Sequence, residues 1–327
     1  MAIIEVKHLT KTFQTKQKQS GFLGSLQSLF HPQRKTVEAV RDLNFTIQKG
    51  ERVAFIGPNG AGKSTTLKML TGILYPTSGD ISLLGYTPQR DRKKLSYELG
   101  TVFGQKSQLW YHLPPMDTYD LFAAIFDIDK NVYAKRLQKL IKQFDIQDFI
   151  HTPVRKLSLG QRMRCELVAA LLHQPKILLL DEPTIGLDIL SKKALRNAIL
   201  EFNKKEKTTI LLTSHDVDDI ENVCERIIII NQGQLVYDKP LDDLKSVYLQ
   251  KKIIKLQLEE RTKKPLKRKG IRVVADTDLT ISYEVDTTRQ PLQDAIKQLL
   301  SYHLNILDIT IQEVSVEEII EEIYKQK

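Results

Sequence analysis

Cysteine, tryptophan and long apolar runs are scarce in this sequence of 327 residues. Its two cysteines, Cys165 and Cys224, argue against a disulfide framework and are typical of a reducing compartment. Apolar runs such as 177–180 and 227–230 are far shorter than the about 20 residues that a membrane-spanning helix needs. Residues 1–10 lack the layout of a signal peptide. We therefore expect a chain that does not cross a membrane by itself.

Positive charge is in excess, because 49 lysines and arginines against 40 aspartates and glutamates give a formal net charge of +9. This charge suits nucleic acid or an anionic membrane surface. Nucleotide-binding and membrane-peripheral proteins are also basic, so the charge alone does not separate these classes. The hydrophobic share of 41% is that of a globular protein, and the length predicts two domains.

A phosphate-binding pattern follows the first strongly apolar strand. Val53–Ile56 predicts a buried strand, residues 57–62 form a glycine-rich loop, and Lys63 begins a helix. This is the strand–loop–helix setting of the pattern G-x-x-x-x-G-K-[ST]. The glycines let successive backbone N–H groups face one anion, and the helix N-terminus adds a partial positive charge. The predicted phosphate contacts are Gly57, Pro58, Asn59, Gly60, Ala61, Gly62, Lys63, Ser64 and Thr65.

Two side chains of this segment carry the chemistry. Lys63 can reach the β- and γ-phosphates, and the hydroxyl of Ser64 is placed to hold Mg²⁺. The alternative interpretation is a glycine-rich turn that binds nothing, but every position of the pattern is filled. The sequence therefore predicts that the chain binds a nucleoside triphosphate.

Acidic and histidine side chains follow two later apolar strands. Asp181 and Glu182 come after the strand at 177–180; one carboxylate there can serve Mg²⁺ while the other activates a water for attack on the γ-phosphate. Alone, such a pair usually caps the next helix. His215 follows the strand at 209–213, and we expect it to contact the γ-phosphate or the attacking water rather than to be structural.

A second anion-binding pattern, LSLGQ, occupies residues 157–161 at the start of a helix. Ser158 offers a hydroxyl, Gly160 a backbone N–H, and the helix its dipole. Taken alone, this would be an ordinary helix cap. Because one chain provides no second phosphate for it, we expect its ligand to be the nucleotide of another subunit.

The motifs GPNGAGKST, FGQ, LSLGQ, ILLLDEP, GLD and SHD occur in this order and with family-like gaps, so the sequence resembles the ATP-binding-cassette (ABC) ATPases over about residues 2–239. The resemblance implies an α/β fold of the P-loop NTPase type for residues 1–239, with a helical subdomain at about 106–174. It also implies an enzyme that binds ATP and Mg²⁺ and sandwiches two nucleotides between two ATPase subunits, either two copies of this chain or this chain and a sister ATPase.

The resemblance also implies which residues act on the γ-phosphate. Glu182 would be the general base, and His215 would be the γ-phosphate switch. Gln105 would contact Mg²⁺ and sense the γ-phosphate. The implied catalytic residues are Lys63, Glu182 and His215, and the implied metal ligands are Ser64, Gln105 and Asp181.

The resemblance also implies a residue that contacts adenine and residues that contact the ATP of the partner subunit. Phe13 would stack on adenine, although the family more often has tyrosine there. The third residue of the signature is Leu159 in place of the usual glycine. The remaining implied nucleotide contacts, mostly to the ATP of the partner, are Ser158, Gly160, Gln161 and Asp188, the last within the segment GLD that would communicate between subunits.

An unusually aromatic stretch follows Gln105. In ABC transporters the corresponding region receives a helix of the permease, so the resemblance implies that polytopic permease subunits are partners. The alternative is ordinary core packing of the helical subdomain. The predicted contact residues are Trp110, Tyr111, Leu113 and Phe122.

The rest of the chain is organised around this ATPase domain. Residues 2–13 alternate as an edge strand would, and an insert at 14–36 contains a basic amphipathic pattern at 22–30 that suits a membrane surface, a partner or the protein's own core equally. Residues 240–250 are interpreted as a connector. Residues 251–327 predict a small C-terminal α+β domain with an accessory or regulatory role.

Taken together, the aromatic stretch, the N-terminal insert and the C-terminal domain resemble those of bacterial ATPases that serve ABC-2-type permeases, which are usually exporters. The expected location is the cytoplasmic face of the cell membrane, as a peripheral protein. The alternative function is a soluble ABC ATPase that acts on nucleic acid or ribosomes. In the family that this sequence resembles, members that act in DNA repair carry long heptad coiled coils between their motifs, and members that act in translation carry two cassettes. This sequence has one phosphate loop and no such coiled coil, so we expect no nucleic-acid partner.

Overall fold

The computed structural model describes residues 2–16, 34–104, 106–260, 264–302 and 305–325. The chain divides into two units, Met1–Lys239 and Pro240–Lys327. In the part of the chain that the structure describes, no helix combines the length and the apolar character needed to cross a membrane.

The first unit alternates strands and helices. Its strands are β1 (Ala2–Lys16), β2 (Arg34–Gln48), β3 (Arg52–Ile56), β4 (Ser78–Leu83), β5 (Leu99–Phe103), β6 (Ile177–Asp181), β7 (Thr209–Thr213), β8 (Arg226–Asn231) and β9 (Gln234–Pro240). Its helices are α1 (Lys63–Leu70), α2 (Arg92–Ser96), α3 (Pro115–Ile125), α4 (Lys130–Phe144), α5 (Leu159–Leu171), α6 (Ile189–Glu206) and α7 (Val217–Val223), with a 3₁₀ turn at Val154–Lys156.

A six-stranded sheet in the order β5-β6-β7-β3-β8-β9 forms the centre of this unit. From β5 to β8 each neighbouring pair is parallel. Strands β3, β6, β7 and β8 are almost wholly buried, which explains their uninterrupted apolar runs. Because these strands are parallel, the loops after β3, β6 and β7 meet at one edge of the sheet.

A smaller antiparallel sheet has the order β2-β1-β4, so the prediction of an edge strand at the N-terminus is wrong. Ile4 is paired with Ile47 on one side and with Leu83 on the other. The alternating pattern reports which face of a strand is buried, and it carries no information on how many neighbours the strand has. The ends of the predicted insert belong to this sheet, since β1 and β2 pair out to Lys16 and Arg34. The helix predicted at 22–30 lies outside the described residues.

Helices α3, α4 and α5 form the helical part of the first unit. Helix α4 buries Leu137, Leu140 and Phe144, whose spacing places them on one face. Helices α3 and α5 are joined by the buried Tyr119, whose hydroxyl donates to the carbonyl oxygen of Cys165 at 3.0 Å.

The second unit is built on an antiparallel sheet of β10 (Lys251–Leu258), β11 (Ile271–Asp276), β12 (Thr280–Asp286) and β13 (Ile306–Glu313), in the order β11-β12-β10-β13. Its helices are α8 (Leu241–Leu249), α9 (Leu292–Tyr302) and α10 (Val316–Lys325). The segment interpreted as a connector thus folds as helix α8, and its Leu241 and Leu244 are buried. Ile254, Leu256, Tyr283 and Leu299 belong to a separate apolar core.

This core predicts that residues 240–327 fold alone. A fragment of these residues should unfold in one cooperative thermal transition followed by circular dichroism, because its core residues contact one another. A control fragment of residues 259–327 lacks β10, which pairs with both β12 and β13, and should show no such transition. A non-cooperative melt of the longer fragment would contradict the prediction.

Candidate active site

A cavity of about 730 Å³ lies at the sheet edge where the loops after β3, β6 and β7 meet. Its volume is in the range of pockets for ligands the size of a nucleotide. Residues from all three loops contribute to its wall. The lining residues are Ala39, Pro58, Asn59, Gly60, Ala61, Gly62, Lys63, Ser64, Thr65, Lys68, Ile73, Phe103, Gly104, Lys106, Asp181, Glu182, Ile185 and His215.

Two glycines give the loop after β3 its path. Gly62 caps helix α1 with φ of +104°, a left-handed conformation that side chains rarely adopt. A Cβ atom at Gly62 would collide with the carbonyl oxygen of Ala39, and one at Gly57 would collide with that of Ile230. The loop therefore packs closely on its own scaffold while its other face borders the cavity, as a phosphate-binding loop requires.

Lys63 is buried at the base of this loop, with only 8% of its surface exposed. Its Nζ donates to the carbonyl oxygens of Gly57 at 2.5 Å and Pro58 at 3.3 Å, and it lies 3.5 Å from Nε2 of His215. Burial lowers the pKa of Lys63, while the nearby carboxylates of Glu182 and Asp181 act in the opposite direction. The ammonium group is thus held in place within the wall of the cavity.

The end of β6 is tied to the end of β7 through Thr213. Its hydroxyl donates to Oδ1 of Asp181 at 2.6 Å and accepts from the backbone N–H of Glu182 at 3.1 Å. Thr213 was not among the predicted site residues. The signal that could have found it is the parallel register, which places Asp181 opposite Thr213.

Glu182 and His215 form a pair in the cavity wall. Oε1 of Glu182 is buried, makes no hydrogen bond within the described residues and lies 3.3 Å from Nε2 of His215. The backbone N–H of His215 donates to Oε2 at 3.3 Å. Burial raises the pKa of Glu182, opposed by His215 and Lys63. A carboxylate with a raised pKa in the wall of a cavity, next to an imidazole, suits proton transfer.

Of the remaining predicted site residues, those that the structure describes do not line this cavity. Gln105 lies outside the described residues, although its neighbours Gly104 and Lys106 both line the cavity. Phe13 is partly exposed, pairs with Val37 in the small sheet and has Nζ of Lys11 5.2 Å from its ring centre. Four predicted contacts in the motifs LSLGQ and GLD are not part of the cavity lining. They are Ser158, Gly160, Gln161 and Asp188.

The LSLGQ segment makes its contacts within its own chain. Ser158 and Gln161 cap helix α5 reciprocally, with the side chain of each accepting from the backbone N–H of the other at 3.2 Å and 2.9 Å. A Cβ at Gly160 would be 2.7 Å from Oγ of Ser191. Asp188 caps helix α6 and accepts from the hydroxyl of that same Ser191 at 2.6 Å. The starts of α5 and α6 are therefore packed together.

Comparison with known proteins defines the family. The model of the ABC transporter family matches residues 40–185. The ABC transporter ATP-binding protein NatA of Bacillus subtilis is 34% identical over 215 residues, which are 66% of this chain and 87% of NatA. The chain belongs to the ABC transporter ATP-binding proteins.

Two further comparisons extend this result. The linearmycin resistance ATP-binding protein LnrL of Bacillus subtilis is 28% identical over 292 residues, covering 87% of this chain and 92% of LnrL. A dimeric post-hydrolysis structure of the ATP-binding cassette MJ0796 with ADP and phosphate is 25% identical, with a TM-score of 0.60 over 73% of this chain and 98% of that one. The predicted P-loop NTPase fold is confirmed, and this ABC protein is an ATPase that binds ATP.

The position of Lys63 in the cavity wall predicts that its substitution weakens ATP binding. The substitution Lys63→Ala removes a charged donor whose hydrogen bonds to an anion are each worth about 1.5–3 kcal/mol, so ATP affinity should fall about tenfold or more. The measurement is titration with a fluorescent ATP analogue. Lys93→Ala, an exposed lysine of α2 outside the cavity lining, is the control and should bind as the wild type does. Equal affinities of the two variants would contradict the assignment.

Proposed function

We propose that this ABC ATPase drives a membrane exporter by binding and hydrolysing ATP in the cavity at the ends of β3, β6 and β7. The observation that carries the proposal is the position of Glu182 in the cavity wall, where its Oε1 lies 3.3 Å from Nε2 of His215 and the charge of Lys63 acts on it. In this proposal the loop at 57–65 holds the phosphates, and Glu182 accepts the proton of the water that attacks the γ-phosphate.

The cavity wall also carries oxygen ligands suited to Mg²⁺. Ser64 supplies a hydroxyl and Asp181 a carboxylate, and hard oxygen donors are what this ion prefers. We assign the metal to these two residues together with Gln105. A bound Mg²⁺ would neutralise charge on the β- and γ-phosphate oxygens. His215, whose imidazole is exposed to the cavity, would donate a hydrogen bond to the γ-phosphate.

A second ATPase subunit completes the site in this proposal. The LSLGQ segment does not line the nucleotide cavity of its own chain. It packs against the start of helix α6. There Ile189 and Leu190 are 84% and 79% exposed, an unusual state for two consecutive large apolar residues. A partner subunit would cover them and place its Ser158, Gly160, Gln161 and Asp188 near the ATP.

Permease subunits are the proposed membrane partner. Trp110 and Tyr111 are 50% and 59% exposed, and Leu113 is exposed beside them, whereas Phe122 is only partly exposed. Exposed clustered aromatics favour protein contact. The carboxylate of Glu166, in α5, accepts from the hydroxyl of Ser107 and from the backbone N–H of Gln108 at 3.0 Å. The aromatic surface is thereby attached to the helix that begins in LSLGQ.

The proposed place of the protein is the cytoplasmic face of the cell membrane, bound through its permease. The relative LnrL is named for resistance to linearmycin, and resistance is consistent with export. The adenine contact of Phe13 remains part of the proposal, with Lys11 beside the ring.

Glu182→Gln tests the catalytic assignment. The amide keeps the shape of the side chain but cannot accept the proton, so turnover should fall about 10²- to 10⁴-fold while ATP binding persists. Size-exclusion chromatography with ATP should then show a stable dimer that the wild type shows only transiently. Hydrolysis by this variant at the wild-type rate would show that Glu182 is not the base.

Trp110→Ala with Tyr111→Ala tests the permease surface. The double variant should no longer co-purify with a polytopic membrane protein from solubilised membranes, because the exposed aromatic contact is lost. Its ATP affinity should stay within about twofold of wild type, since neither residue lines the cavity. Tyr75→Ala, another exposed aromatic, is the control. Salt-sensitive binding to nucleic acid without any membrane association would contradict the exporter function.

A further inference from the structure

Asp219, in helix α7, is a carboxylate at 1% exposure whose two oxygens are both hydrogen-bonded. Its Oδ2 accepts from the hydroxyl of Ser214 at 2.7 Å and from that of Thr184. Its Oδ1 accepts from Nε of Arg196 at 2.5 Å. All four residues are buried, and none of them lines the nucleotide cavity.

The two hydroxyls belong to the segments that carry the proposed catalytic pair. Ser214 immediately precedes His215, and Thr184 is two residues beyond Glu182. One carboxylate therefore connects the chain after β6 with the chain after β7. Glu182 itself has φ of +54°, a left-handed conformation that a residue other than glycine holds only when its surroundings restrain it.

Arg196, in helix α6, supplies the positive charge that a buried carboxylate requires. Its Nη2 also lies 3.2 Å from Oδ1 of Asp216, and its Nη1 lies 3.5 Å from Oδ2 of Asp218. Asp216 is in addition paired with Lys192 at 2.5 Å. Removing the cation from a buried pair of this kind leaves an uncompensated charge and is strongly destabilising. Arg196 thus holds Asp219, and Asp219 holds the two hydroxyls.

We propose that Asp219, supported by Arg196, is a positioning residue that fixes Glu182 relative to His215 through Thr184 and Ser214. The proposal rests on the proposed function, in which Glu182 and His215 act on the γ-phosphate and its attacking water. Asp219 touches neither substrate nor reacting atoms. Its effect is on the geometry of a pair whose side chains lie 3.3 Å apart.

Asp219→Asn is the first test, because the amide preserves the shape of the side chain. Its single oxygen can serve either Arg196 or the two hydroxyls. If the oxygen stays on Arg196, the NH₂ group faces Ser214 and Thr184, whose hydroxyls must turn from donating to accepting, and Oγ of Ser214 already accepts from the backbone N–H of Asp216 at 3.0 Å. Since a displacement of about 1 Å in a catalytic group can cost about 10²-fold, we expect kcat to fall about 10- to 100-fold. The affinity for ATP should remain within about twofold, as the phosphate loop is not part of this set.

Asp218→Asn is the matched control. Asp218 is adjacent, is mostly exposed and contacts the same Arg196, but it has no contact with Ser214 or Thr184 among the described residues. This variant should retain wild-type kcat. If Asp219→Asn also retains wild-type kcat, or if both variants lose activity equally, the positioning role is wrong.

Thr184 supplies a second test that does not depend on how well the first variant folds. Thr184→Val has nearly the same shape but lacks the hydroxyl, whereas Thr184→Ser keeps it. We expect kcat to fall in Thr184→Val and to be largely restored in Thr184→Ser, with assays run well below the melting temperature of each. A parallel loss of ATP binding, melting temperature and kcat, or equal kcat in the two variants, would indicate a structural role only and overturn the proposal.

Glu182→Gln, assayed alongside, separates this proposal from the one on which it rests. Turnover by Glu182→Gln at the wild-type rate would overturn the proposed function and with it the positioning role. An inactive Glu182→Gln together with a fully active Asp219→Asn would overturn the positioning role alone. An inactive Glu182→Gln with a low kcat in Asp219→Asn and Thr184→Val supports both.

Discussion

The parallel pairing of β3, β6 and β7 is the constraint on which the site depends. It brings three loops that are far apart in the sequence to one sheet edge, where Lys63, Glu182 and His215 come within hydrogen-bonding range or close to it. Bringing these side chains together costs free energy, because the ammonium group of Lys63 and the carboxylate of Glu182 must be held partly out of water. That cost is offset by the mutual attraction of these charges and by the carbonyl oxygens around Lys63.

Much of this arrangement was predictable because it is encoded locally. The glycine-rich loop, the apolar strands and the polar residues that follow them are short patterns, each with its own physical reason. Parallel strands then leave little freedom in where Lys63, Asp181 and His215 can lie. The capping box is equally local, because Ser158, which suggested an anion site, satisfies the helix end together with Gln161.

What the sequence did not predict depends on contacts between distant segments. Alternation in β1 could not show that this strand has neighbours on both sides. Thr213 and Asp219 resemble any polar residue near a strand end or on a helix, and only the register and the packing of α6 and α7 show what they hold. The residues between 240 and 250 lack a long apolar run, yet they fold as helix α8 with Leu241 and Leu244 buried.

In the proposed function, one chain holds only part of each active site and a second subunit supplies the rest. The most direct measurement is ATP turnover per subunit as a function of protein concentration, with sedimentation velocity recorded in parallel. If a second subunit completes the site, turnover per subunit should rise with protein concentration and level off as dimers form in the presence of ATP. Constant turnover across the range in which the protein is monomeric would contradict it.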